Sequence, residues 1–320
     1  MLRHVVLVTA LLLGAAAAAS AQDYPSRPIR FITPAQPGGT TDILARMLSF
    51  RLSEIFKQQV IVDNRASANG VTAAEMTTKS APDGYTIFMA YHQHTVNASL
   101  IPNLPYHAVN DFTPITQATE AGLVLVVHPS TPARNFREFL DWTRQYKGPL
   151  NFGSAGNGSG GHLAGELYKV MSGTKAQHIP YKGSGPAMTD LLGGQYQFAF
   201  VGMQAAQAHI KSGRLRALAV TSLKRVPALS ELPTVDESGL KGFEIVGWYG
   251  VMAPAKLPRP ILTRLHREIV GVINEPDTQK RITADGSTPI GSTPEAFLRF
   301  LRADVAKWAK LIKESGAKAD

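Results

Sequence analysis

The chain has 320 residues, 44% of them hydrophobic and 18% charged, with 21 prolines, 28 glycines and no cysteine. This composition excludes an intrinsically disordered chain and suits a two-domain globular protein, while the lack of cysteine rules out disulfides, thiolate nucleophiles, Cys-ligated zinc and iron–sulfur clusters. The formal charge of +9, from 33 basic and 24 acidic residues, is spread along the chain without the run of about five to eight Lys/Arg expected of a nucleic-acid binder, so no nucleic-acid partner is read from it.

At the N-terminus, Arg3 and His4 precede an unbroken apolar stretch, Val5 to Leu13, and small residues follow as far as Ala19-Ser20-Ala21. A basic start, a short apolar core and an A-x-A site define a cleavable signal peptide over residues 1–21. The apolar core is shorter than the roughly 20 residues that span a bilayer, and no cysteine follows it to carry a lipid. Cleavage after Ala21 gives an exported, soluble chain.

Past this segment, short β-rich runs alternate with helical patterns, as in an α/β protein. Ile29 to Thr33 reads as a strand, Pro34 to Gly39 as a loop and Thr40 to Lys57 as a helix, because Ile43, Leu44, Met47, Leu48, Leu52, Ile55 and Phe56 fall on one 3.6-residue stripe. Val60 to Val62 is the next strand and Ala73 to Lys79 the next helix, before Pro82-Asp83-Gly84 turns the chain into the strand Tyr85 to Ala90. The continuous apolar run Leu123 to Val127 reads as a buried strand, and Phe136 to Tyr146 as a helix.

The pattern then recurs. Strands are expected at Leu150 to Ser154, Gln177 to Tyr181, Phe198 to Val201, Ala217 to Thr221 and Phe243 to Met252, with helices at His162 to Met171, Pro186 to Leu192, Pro260 to Asn274 and Pro294 to Ser315.

Three loops share one local geometry, in which a strand ends, glycines turn the chain and a helix begins. They are Pro37-Gly38-Gly39-Thr40-Thr41-Asp42, the stretch from Gly153 and Ser154 through Gly156, Asn157 and Gly158 to His162, and Tyr181-Lys182-Gly183-Ser184. Helix N-termini offer free N–H groups and the positive end of the dipole, and glycines let a ligand approach the backbone. Three such loops facing one cleft suit a carboxylate; the same loops also fit ordinary βα turns with Ser/Thr caps.

Gly156, Gly158 and Gly161 form a G-x-G-x-x-G, but the next strand ends Tyr181-Lys182-Gly183 without the acidic residue that a dinucleotide ribose requires, so no cofactor is read from it. Ser154, His162 and Asp190 supply the residue types of a hydrolase without a G-x-S-x-G elbow. His92 and His94 could pair at a strand end, but no spaced third ligand follows and no metal is assigned.

Tyr24-Pro25-Ser26-Arg27-Pro28-Ile29, Pro37-Gly38-Gly39 before Asp42, Asn64-Arg65, Ala81-Pro82-Asp83-Gly84-Tyr85-Thr86 and Asp111-Phe112-Thr113-Pro114-Ile115 follow one another in order. So do His162-Leu163-Ala164-Gly165-Glu166, Pro180-Tyr181-Lys182-Gly183, Asp190-Leu191-Leu192-Gly193-Gly194-Gln195 and Glu231-Leu232-Pro233-Thr234-Val235. In this order and spacing the chain resembles the Bug family of periplasmic solute-binding proteins, the receptors of tripartite tricarboxylate transporters. The resemblance implies a two-domain periplasmic-binding-protein fold of type II-like topology, with residues 22–122 and 243–320 in one domain, 123–242 in the other and a ligand cleft between them.

It further implies a monomer without enzymatic activity, which closes like a Venus flytrap on a small organic acid and delivers it to the permease subunits of such a transporter. Carried over by position, Gln36, Gly38, Gly39, Thr40, Thr41 and Asp42 line one wall. Ser154, Gly156, Asn157, Gly158, His162, Tyr181 and Gly183 line the other, and His94 sits near the mouth. A secreted hydrolase using Ser154 and His162, or an extracytoplasmic sensor of the same ligands, is the alternative.

Where relatives of this kind often carry an Asp-Asn pair, the strand Phe198 to Phe200 continues into Val201 and Gly202. A carboxylate at that point would meet an amino-acid ligand's ammonium group, and an unpartnered buried cation is costly. An apolar Val201 predicts a ligand without a free amine, a di- or tricarboxylate or an aromatic acid; the alternative is that Val201 simply packs in the core.

The export reading makes a first prediction: the intact mass of the periplasmic protein should match a chain beginning at Gln22, and a species there that retains residues 1–21 would overturn it.

Overall fold

Strand and helix alternate through the computed structural model of the chain, which describes residues 24–226, 229–284 and 286–315. The expected signal peptide and its cleavage point lie outside the described residues. In chain order the elements are β1 (Ile29–Thr33), α1 (Thr40–Phe56), β2 (Val60–Asn64), a short 3-10 turn (Ala68–Gly70), α2 (Val71–Thr78), β3 (Thr86–Tyr91), α3 (Gln93–Leu100) and β4 (Phe112–Val127). There follow α4 (Phe136–Gln145), β5 (Asn151–Ser154), α5 (Gly160–Ser172), β6 (Gln177–Pro180), α6 (Ser184–Leu192), β7 (Phe198–Gly202), α7 (Met203–Lys211) and β8 (Arg216–Val220). The chain ends with β9 (Val246–Pro254), α8 (Arg259–Ile273), α9 (Pro276–Ala284), β10 (Thr288–Pro289) and α10 (Pro294–Ser315).

The strands run in the order β2-β1-β3-β9-β4-β7-β5-β6, with β8 and β10 as further partners of β4. The 16-residue β4 joins two half-sheets. Its segment from Phe112 to Gly122 pairs antiparallel with β9, and the next residues, Leu123 to Val127, pair antiparallel with β7 and also with β8. Strand β3 also pairs antiparallel with β9 and β10 with β4, and the outer pairs are parallel, β1 with β2 and β3, and β5 with β6 and β7. Parallel neighbours need crossover helices, and these cover the sheet faces.

Each half-sheet carries apolar packing on both faces. In the first, Phe31, Ile87 and Val251 meet Leu48 and Leu52 of α1 and Leu265 and Ile269 of α8, while Ile32, Phe88 and Trp248 meet α2 and the start of α10. In the second, Phe198 lies among Phe139, Phe152 and Tyr168, with ring centroids 5.2 to 5.6 Å apart. The opposite face packs Val124, Val126 and Ala199 against Met188, Leu191, Met203 and Ala206.

Helix α10 belongs to both halves. Phe297 and Leu301 enter the first core, whereas Trp308 and Leu311 enter the second. Between them, Asp304 is buried, and its Oδ2 accepts from Thr95 Oγ1 at 2.6 Å and from Trp248 Nε1 at 3.0 Å. Lys307 Nζ lies 2.8 Å from the other carboxylate oxygen. A buried carboxylate is tolerated when it is bonded and paired in this way.

The structure adds three helices that the periodicity did not indicate, α3, α7 and α9. Helix α3 buries Gln93, His94, Thr95 and Asn97 together with Val96, so it shows no apolar stripe. Strand β4 begins eleven residues before the expected Leu123, in a stretch interrupted by Pro114 and by two irregularities of register.

Phe198 is fully buried at the centre of its ring cluster. Replacing it with alanine should cost about 3–5 kcal/mol of unfolding free energy in denaturant titration; a loss below about 1 kcal/mol would mean that the second core does not depend on these rings.

Candidate ligand-binding cleft

A cavity of about 310 Å³ lies between the two half-sheets. Four helices bring their first turns to it. Helix α1 contributes Thr40, α5 contributes Gly160 and Gly161 with Ser159 before them, α6 contributes Ser184, and α7 contributes Met203 and Gln204.

Side-chain capping varies along this chain, and α2, α3 and α8 begin without it. The N-cap of α4, Asn135, accepts a hydrogen bond from Glu138 N through its side chain. At the cavity, α1, α6 and α7 begin at Gly39, Gly183 and Gly202, with no side-chain cap. Only α5 is self-capped, by Ser159 accepting from His162 N at 3.3 Å. Glycine caps leave the first backbone N–H groups to whatever occupies the cavity.

Among the described residues that line the cavity there is no Asp, Glu, Lys or Arg. The field inside comes from helix dipoles and backbone donors rather than from ion pairs. Apolar wall is supplied by Leu44, Leu123, Phe200, Val201, Ile245 and Trp308.

Of the residues singled out from the sequence, Thr40, Ser154, Val201 and Gly202 line this cavity. Most of the others shape the loops behind it. Asp42 is buried and takes Gly38 N–H at 2.9 Å, Arg46 Nε at 3.0 Å and Asn64 Nδ2 at 2.8 Å. Asn64 also donates to Ala35 O, so the Asn-Arg motif and the Pro-Gly-Gly loop are fastened to each other. Burial pushes the Asp42 carboxyl upward, but these three donors outweigh it and hold the pKa below the usual value. Gly38 has φ +87°, a backbone that a side chain disfavours. Thr41 is buried and its hydroxyl accepts from Thr33 Oγ1, while Gln36 is exposed and its carbonyl accepts from Gly39 N.

In the second loop, Ser154 Oγ lies 2.6 Å from His178 Nε2 and donates to Gly156 O. His162 is buried, accepts Gly158 N–H on Nδ1 at 2.9 Å and stacks on His178 with centroids 4.0 Å apart. Gly156, Asn157 and Gly158 therefore form the outer turn of this loop and are not among the lining residues. In the third, Tyr181 donates to Asp190 Oδ2 at 2.7 Å; burial, then that carboxylate, pushes its phenol up to about 12. Gly183, with φ +109°, sets the angle at which α6 meets the cavity.

The structure bears on one alternative and corrects one expectation. Ser154, His162 and Asp190 do not combine as a catalytic set, because the serine partners His178, His162 holds Gly158 and Asp190 holds Tyr181. His94 is not near the mouth. Its ring is buried against Phe88, Tyr106 and Phe112, with Nε2 2.7 Å from Ala108 O. The histidine that lines the cavity is His92, at the turn where β3 ends and α3 begins. The i, i+2 spacing that suggested a shared strand face fails there because the chain has already become helical.

A type II-like, two-domain periplasmic-binding-protein fold with helix starts converging on a cleft between shared strands defines the class. Within it, a family model described as tripartite tricarboxylate transporter family receptor matches residues 44–317, and the chain belongs to that family. It is 37% identical over 307 residues to Protein BugT of Bordetella pertussis, covering 95% of this chain and 94% of that one. Among solved structures, Rpa4515 of R. palustris with adipate superposes with a TM-score of 0.76 at 33% identity, covering 92% of this chain and 99% of that one. MatC from Rhodopseudomonas palustris with bound malate gives 0.72 at 26% identity, covering 90% and 100%.

The Asp42 network makes a prediction with a defined pH sign. A carboxyl whose pKa is depressed by folding stabilises the protein above its unfolded pKa, near 4, and loses that contribution as pH falls through the folded value. Asp42→Asn should lower unfolding free energy by about 1–3 kcal/mol at pH 7, and the gap to the wild-type chain should narrow as pH drops below about 4. A gap that stays constant down to pH 2 would show that charge is irrelevant there.

Proposed function

We propose that this chain is exported to the periplasm, where it captures a small organic acid without a free amine and delivers it to the permease subunits of a tripartite tricarboxylate transporter. It acts as a monomeric binding protein, not as an enzyme, and holds neither cofactor nor metal. Residues 22–122 with 243–320, and residues 123–242, are the two bodies that close on the ligand, turning about β4, the segment that enters β9 and helix α10, whose Trp308 and Leu311 pack in the second core. The ligand shifts the equilibrium because only the closed form surrounds it.

The observation that carries this reading is the composition of the cavity. Four helix starts, three with glycine caps, favour an anion, and no acidic side chain among the described lining residues could partner an ammonium group. Val201 presents an apolar surface at the end of β7. Burying a cation without a partner costs several kcal/mol, so an amino acid is disfavoured relative to its deaminated counterpart. The adipate of Rpa4515 and the malate of MatC, both amine-free, support the same choice.

Calorimetric titration with aspartate against succinate, glutamate against glutarate, and an aromatic acid tests it. Succinate or glutarate should bind at least about tenfold more tightly than its amino analogue, whereas preference for the amino acid would sink the assignment.

A further inference from the structure

The helix starts account for one end of a ligand, and two polar groups elsewhere in the same cavity have no role in that grip. Trp308 is 1% exposed, and its indole N–H has no hydrogen-bond partner although the ring lines the cavity. His92 also lines the cavity, and its Nδ1 is buried and unpartnered. Gly247 of β9, which also lines the cavity, lies beside that nitrogen, to which a Cβ on it would stand 3.9 Å away. A buried donor or acceptor left unsatisfied costs about 1–3 kcal/mol, and such groups call for an explanation.

Both groups lie beside the segments that join the two half-sheets. His92 precedes α3, and its backbone N–H donates to Trp248 O of β9 at 3.1 Å. Trp308 follows Asp304 by one turn of α10, and Asp304 is the charge that acts on His92. The Asp304 charge is itself countered by Thr95, Trp248 and Lys307, and Lys307 Nζ also sits 4.7 Å above the Trp308 ring. The Tyr91 ring meets His92 edge-on at 5.4 Å, and Tyr249 on β9 lines the same cavity.

We propose that His92 and Trp308 form a second polar subsite, at the end of the cavity next to the joining strands, which takes the distal carboxylate of a dicarboxylic acid. Indole N–H is a donor only, and imidazole can donate through one nitrogen or, when protonated, through both. Two donors select an acceptor oxygen. His92 is, among the described lining residues, the side chain whose ordinary pKa lets it become cationic near neutral pH. Burial drives His92 down to about 4, with Asp304 opposing the shift. An incoming carboxylate adds a second counter-charge and favours the protonated ring. A monocarboxylate reaches the helix starts but leaves this subsite unfilled.

This inference rests on the carboxylate-capture reading, and its test separates the two. Calorimetry would compare three matched pairs, succinate with butyrate, adipate with hexanoate, and terephthalate with benzoate. The wild-type chain should prefer the diacid in at least one pair. In that pair, Trp308→Phe and His92→Phe, which remove the N–H groups but keep an aromatic ring, should weaken diacid binding about tenfold or more while leaving the monoacid within about twofold. His92→Gln, which retains an amide donor, should restore part of the preference. Equal losses for diacid and monoacid, or no loss in either variant, would overturn the subsite and leave carboxylate capture standing. Failure of the wild-type chain to bind any of the six acids would overturn both.

Discussion

An α-helix cannot satisfy its own first N–H groups, and everything at the cavity follows from where those groups are sent. In parallel strand–helix units, the helix start lies at the C-terminal end of the preceding strand. The parallel pairing of β1 with β3 and of β5 with β7 therefore aims α1, α5 and their neighbours at common ground. The elsewhere usual solution, a Ser, Thr, Asp or Asn cap, would silence the donors. Three glycine caps keep them available, while Ser159 shows that the chain uses a polar cap where the loop itself needs fixing. Under the proposed capture of a carboxylate, the stability forgone at each bare start is recovered when the anion binds.

The net charge and the cavity tell complementary stories. The chain carries a formal charge of +9, yet none of the described Lys and Arg side chains lines the cavity, and many pair with carboxylates, as Arg51 does with Glu275 and Lys169 with Glu166. The exterior can attract anions over a distance of about a Debye length, near 8 Å at physiological salt. Inside, selection falls to dipoles and shape, which discriminate by geometry more than by charge number. Excluding fixed ions from the walls also avoids burying a lysine or arginine that would be unpaired whenever the cavity is empty.

Much of this was legible in the amino-acid order, and the limits have physical causes. The stripe Leu44, Leu48, Leu52, Phe56 identified α1 because one face of that helix is buried and the other wet. Helix α3 escaped because its polar residues are buried by bonding to one another and to backbone, as Gln93 does with Asn97 and Asn97 with Asn69; periodicity cannot see polar burial. The glycine loops announced helix starts, but whether a given residue faces the ligand or braces the loop depends on side-chain direction after the turn. Thr40 and Ser154 came out on the cavity side, Asp42 and His162 behind it. The fourth start, α7, lacked a signal beyond Gly202, since Met203-Gln204-Ala205-Ala206 carries no turn chemistry ahead of it. His92 entered the sequence reading only as a metal-ligand candidate beside His94, and Trp308 drew no site reading, because what distinguishes both is a missing partner rather than a present one.

The helix that ends the described chain has a consequence for how the protein comes to exist. Residues Phe297 and Leu301 complete one core, and Trp308 and Leu311 complete the other, so neither core is whole until α10 is delivered. Synthesis runs from the opposite end. A nascent chain therefore holds two unfinished halves, each missing an aromatic or aliphatic plug, until nearly all of it has emerged. The two cores are thus tied through one element, and a truncation that removed α10 would open both at once.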